Sequence, residues 1–116
     1  PFQVFINLLI KRAYLQHLRG NTVQARRCYR DLQARLTRAI FPGALVITLI
    51  FHAILEHSVD QPVEARTLLA QAEGMVSGQD PMLTSLLESA QAVLDGAPPT
   101  FGQHTFSQVL RRILEA

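Results

Sequence analysis

Apolar positions along this chain fall into six blocks, each with the spacing of a helix rather than the alternation of a strand. The first block, residues 2–19, contains Phe2, Val4, Phe5, Ile6, Leu8, Leu9, Ile10, Ala13, Tyr14, Leu15 and Leu18. These cover more than the ~100° stripe of an ordinary surface helix, so most of its circumference needs cover. Gly20-Asn21 ends it, because Gly suits the left-handed residue that follows a helix. Asn21, with Gln24 three residues on, opens a second helix over 22–38 in a near capping box. Its inward face reads as Val23, Ala25, Cys28, Tyr29, Leu32 and Leu36, with arginines opposite.

Phe41-Pro42-Gly43 separates this pair from a third helix over 44–58 that is almost wholly apolar. Its run is shorter than the ~20 residues of a membrane span, is bounded by Pro42-Gly43 and is interrupted by His52, so a buried helix is predicted. Pro62 opens a fourth helix that Gly78 stops. Asp80-Pro81 opens a fifth, with Leu83, Leu86, Leu87 and Ala90 on its apolar face, ending at Asp95-Gly96. After a loop, Thr105 and Gln108 form a capping box for a sixth, with Phe106, Val109, Leu110, Ile113 and Leu114 at helical spacing. The pattern predicts one all-α domain of about six helices.

Residues 12–33 and 52–73 align without a gap at an offset of 40, and six of the 22 pairs are identical: Ala13/Ala53, Leu15/Leu55, His17/His57, Val23/Val63, Ala25/Ala65 and Arg26/Arg66. A fixed period of this size marks stacked helical hairpins, each burying what its neighbour leaves open. The units are a hairpin over 2–38, a second over 44–77, and a divergent hairpin or cap over 81–116.

Within each unit a small residue lies midway along the first helix, then come a turn, an Ala, and a large residue four positions on. These are Ala13, Gly20, Ala25 and Tyr29, then Ala53, Asp60, Ala65 and Leu69, with Ala72 a further small residue. Over residues 4–76 this resembles the tetratricopeptide repeat (TPR), although the 40-residue period exceeds the ~34 of that family. The resemblance implies antiparallel hairpins stacked in a short right-handed superhelix. It also implies that the first helices line a concave groove for a peptide or partner helix. By register the lining is Asn7, Ile10, Lys11, Tyr14 and His17, then Ile47, Ile50, Phe51, Ile54 and His57. So apolar a lining suits an amphipathic helix or a second copy. The alternative is that the fifth and sixth helices, or sequence outside this stretch, bury these residues.

The expected function is therefore a non-catalytic protein–protein interaction scaffold. The competing expectation is a regulatory or oligomerisation part of a larger protein, such as a bacterial transcriptional activator or a membrane-anchored assembly protein. Either reading places this segment in the cytoplasm, without insertion into a membrane. Pro1 in place of Met suggests excision from a longer chain.

Charge sharpens the picture. Residues 1–40 carry eight bases against Asp31, or +7, and residues 41–95 carry Arg66 against seven acids, or −6. Such a dipole steers an acidic partner or a second copy. Arg19, Arg26, Arg27 and Arg30 form a basic patch. With no aromatic stacking platform among them, nucleic acid is not expected, and contact with the acidic half of a neighbouring molecule suits the patch better. His17 and His57 read as polar ends of apolar helices, since a metal needs a third ligand. Cys28 reads as an inert core thiol. No nucleophile elbow, phosphate loop or dinucleotide fingerprint occurs, so neither catalysis nor a cofactor is expected.

Overall fold

Three turns that each hold a left-handed residue punctuate the protein. The computed structural model describes residues 2–36, 41–76 and 78–115, with backbone alone at Phe2 and Gln3. Six helices occupy it: α1 (Phe2–Leu18), α2 (Thr22–Leu36), α3 (Pro42–Ser58), α4 (Pro62–Met75), α5 (Pro81–Leu94) and α6 (Thr105–Glu115). Gly20 (φ 77°), Asp60 (φ 59°) and Gly96 (φ 78°) follow α1, α3 and α5. At each turn the next N–H reaches a carbonyl five residues back: Asn21 to Gln16 at 3.0 Å, Gln61 to Glu56 at 2.9 Å and Ala97 to Ala92 at 2.8 Å. These bonds satisfy carbonyls that the helix end leaves without a partner.

Prolines start α3, α4 and α5 in their first turns, where the missing N–H has no intrahelical role. Pro42 therefore belongs to α3 itself rather than to a separator. Asp80 caps α5 by accepting from the Leu83 N–H at 3.1 Å. The expected extension of α2 through residue 38 lies outside the described residues.

The helices form layers. α1, α3 and α5 lie side by side, α3 between the other two, and α1 does not touch α5. On one face α2 packs on α1 and α3, and α4 packs on α3 and α5. On the other face α6 touches α1, α3 and α5, and neither α2 nor α4. Enclosed on all sides, α3 is buried at every residue from 46 to 56, which is why its sequence is apolar all round. Each fully buried Leu, Ile or Phe there contributes roughly 1.5–3 kcal/mol relative to exposure.

The repeated small residues occupy matching environments in the core, whereas Leu15 is 43% exposed and its counterpart Leu55 1%. Ala13 and Ala53 are both fully buried, as are Ala25 and Ala65, and Tyr29 is matched by buried Leu69. Val23 departs from expectation. It is 66% exposed, and its counterpart Val63 is 78% exposed. Both sit in the first turn of a second helix, outside the packed face, so their identity has no origin in the core.

The third unit diverges after Gly96. No helix equivalent to α2 or α4 follows. The Ser89 hydroxyl donates to the Thr100 carbonyl. Gly102 lies against Ser85, where an added Cβ would stand 3.4 Å from Oγ. Rising loop numbers meet falling α5 numbers, so this segment runs back along α5. Phe106 then shares a cavity with Asn7, Lys11 and Met82, and Ile113 shares another with His17, Leu18 and Ser58. Thus α6 runs in the same sense as α1, across the open side of the layer.

Candidate functional site

The expected groove is filled by the chain itself. Ile10, Tyr14, Ile47, Ile50, Phe51 and Ile54 are buried, and Asn7, Lys11, His17 and His57 are partly buried. Phe106, Val109, Leu110 and Ile113 of α6 are buried too. The Phe106 ring meets Phe51 edge to face, centroids 6.2 Å apart. This corrects the expectation of an open groove. The amphipathic helix that such a face would accept is α6. Its apolar pattern is visible in the sequence, but the long return segment hides where it lands.

A polar network crosses from α2 to α3, and of its members only Arg26 belongs to a site expected from the sequence. Arg26 donates from Nε and Nη2 to the two Glu56 carboxylate oxygens, each at 2.7 Å. His52 Nε2 lies 2.8 Å from Glu56 Oε2, and Gln33 Nε2 lies 2.6 Å from His52 Nδ1. With Gln33 donating to Nδ1, His52 is the neutral tautomer that donates from Nε2 to Glu56. Tyr29 stacks on His52 with ring centroids 5.7 Å apart. The signal for the network was His52 and Glu56, two polar residues four apart in a largely apolar helix.

Burial raises the Glu56 carboxyl, but hydrogen bonds from Arg26 and His52, with the Arg26 charge, outweigh it and hold the group below the usual carboxylate range. Burial is the largest influence on His52 and lowers it despite the Glu56 hydrogen bond. Burial also lowers His17 and raises the Tyr29 phenol. The network holds two hairpins together; Glu56 and His52 turn away from solvent, while Arg26 and Gln33 are partly exposed. The second repeat has a looser version: Arg66 donates to Asp95 Oδ1 at 2.7 Å and to the Leu94 carbonyl at 3.0 Å.

The basic patch is divided by this arrangement. Arg26 turns inward to Glu56, while Arg19, Arg27 and Arg30 stay exposed. His17 Nε2 lies 3.2 Å from Ser58 Oγ, tying α1 to α3. Cys28 is half-buried beside Leu9 and Arg12. Among the described residues no group of three or more His, Cys, Asp or Glu is placed to hold a metal ion. No helix there is long and apolar enough to cross a membrane.

Val23, Val63 and Met75 are exposed on α2 and α4, but the exposed large apolar side chains cluster on α1. Val4, Phe5, Leu8 and Leu15 are 52%, 51%, 59% and 43% exposed, and exposed Arg12 lies among them. Fold and surface together define a compact all-α protein of six helices. Comparison with known proteins gave no match to a family model, to a curated protein or to a solved structure.

Proposed function

We propose that this protein is a non-catalytic TPR-like helical-repeat module that holds a partner protein. The supporting features are the repeated hairpin, the matching left-handed turns and the forward-reaching Arg26–Glu56 and Arg66–Asp95 pairs. The binding surface in this proposal is the outer side of α1, because the face formed by α1, α3 and α5 is occupied by α6. The observation that carries the reading is the exposed apolar stripe Val4, Phe5, Leu8 and Leu15. Large side chains scattered singly over a surface need no explanation, but four on one helix face mark an interaction site.

A photo-crosslinking amino acid at position 8 tests this in cells of the source organism. The expected result is a discrete protein adduct from position 8 and none from position 67, on the polar side of α4. Equal labelling from both positions, or none from position 8, would overturn the assignment.

A further inference from the structure

The α1 stripe has a buried counterpart within the same chain, and the difference between the two names the chemistry of its partner. Forty residues on, Val4 becomes Ala44, Leu8 becomes Thr48, Arg12 becomes His52 and Leu15 becomes Leu55. On α1 these positions are exposed, whereas on α3 the four are 5%, 0%, 1% and 1% exposed. They form one helical stripe, about 16 Å long at a rise of ~1.5 Å per residue. On α3 the stripe faces the first hairpin, and α2 runs antiparallel across it. Arg26 meets Glu56, while Tyr29 and Gln33 meet His52. The outer face of α1 therefore repeats, in place, a face that already receives a helix, with Leu8 standing where α3 has Thr48.

Its charge is changed. Where α3 offers the Glu56 carboxylate to a cation, α1 offers Gln16, and where α3 has neutral His52, α1 has Arg12. Arg12 makes no ion pair among the described residues. Arg19 is exposed on the same hairpin, and exposed Arg35 pairs with Asp31 at 3.3 Å. A basic helix like α2 would be repelled there.

We infer that α1 docks an acidic amphipathic helix, antiparallel to it, which lays an apolar face on Phe5, Leu8 and Leu15 and sets a carboxylate against Arg12. This rests on the interaction reading above and specifies the partner. The probe is a synthetic, side-chain-stapled peptide of the α2 sequence, residues 22–36, carrying Gln33→Glu and Arg27→Glu, Arg30→Glu and Arg35→Glu. It is titrated into isotope-labelled protein and followed by amide NMR shifts. The expected result is saturable binding with shifts along α1 and around Cys28. Leu8→Asp and Arg12→Glu should each weaken binding by roughly five-fold or more, and added salt should weaken it further. The unmodified basic peptide should bind Arg12→Glu better than the parent protein. Both positions are exposed, and far-UV circular dichroism confirms folding.

No saturation at millimolar peptide, or indifference to Arg12→Glu, overturns the inference. So does a dimer of the protein alone that Leu8→Asp dissolves, since that gives the stripe to a second copy. A position-8 crosslink to a protein that contacts α1 without an acidic helix sinks the inference and leaves the interaction reading standing. Failure of crosslink and titration together sinks both.

Discussion

Arg26 and Glu56, 30 residues apart in sequence, form a two-pronged ion pair across the α2–α3 boundary with both oxygen contacts at 2.7 Å. Glu56 is 1% exposed and depends on this partner, so loss of Arg26 leaves a buried carboxylate uncompensated. Arg26→Met should therefore destabilise by ~3 kcal/mol, the lower end for breaking one side of a buried pair. Arg66→Met, at a pair whose side chains are 52% and 60% exposed, should cost below ~1 kcal/mol. Urea denaturation of the two variants compares them directly, and equal losses would contradict the burial argument.

Acid should weaken the same junction. His52 and His17 bind protons less readily folded than unfolded, because burial disfavours the cation. Their contribution is complete above the unfolded pKa of about 6.5 and is lost as pH falls through the lower folded value. Glu56, also lowered, contributes fully above the ordinary carboxylate pKa and loses that only at more acid pH. Stability should be level near neutrality and start to fall below about pH 6.5. His52→Gln should flatten the first part of that decline, read as urea midpoints across pH. An unchanged slope would show that His52 does not couple to folding.

Leu8 and Thr48 occupy equivalent repeat positions with opposite exposure, 59% and 0%. Leu8→Asp should change stability by less than ~0.5 kcal/mol. Thr48→Asp should cost ~3 kcal/mol or more by burying an unpaired charge. Thermal melts of both variants check the pairing of positions that underlies the docking face.

The hold on α6 rests on few side chains. Phe106→Ala should cost ~3 kcal/mol, in the range for a buried Phe. It should also increase amide exchange in α6 and at Phe51 of α3 before it affects the α2–α3 junction. Hydrogen exchange by mass spectrometry resolves the order, and uniform loss of protection would show that α6 belongs to one cooperative unit with the hairpins.

Asp60 holds a left-handed conformation, φ 59°, where the other two turns have Gly. Asp60→Gly should raise stability by about 0.5 kcal/mol, and Gly20→Ala should lower it by about 1 kcal/mol, because a Cβ is strained in that region. Chemical denaturation of the two variants tests the sign of each change.

The element order was legible because Gly20, Pro62, Asp80-Pro81 and Gly96 mark helix ends by local backbone chemistry. The repeat located Ala13, Ala25, Ala53 and Ala65 in the core, since small residues at matched register permit close helix contact. The candidate site was much less legible. Exposure of Leu8 and burial of Ile10 depend on which helix covers which face, and residues of the two kinds look alike in sequence. The return segment after Asp95 set that outcome through Ser89–Thr100 and Gly102–Ser85, contacts with no local signature. Glu56 and His52 were visible as polar interruptions of α3, but their partners Arg26 and Gln33 come from another helix.

The contact of α6 with α1 has a kinetic consequence. Apart from the contacts of α6 with α1 and α3, the helix contacts join elements that are neighbours or next-neighbours along the chain, so they form with short loops and little entropy to overcome. The meeting of Phe106 with the surroundings of Asn7 instead spans nearly the whole polypeptide. During refolding the hairpins can assemble in succession from local contacts, and closure of this chain-wide ring is the slow, late event.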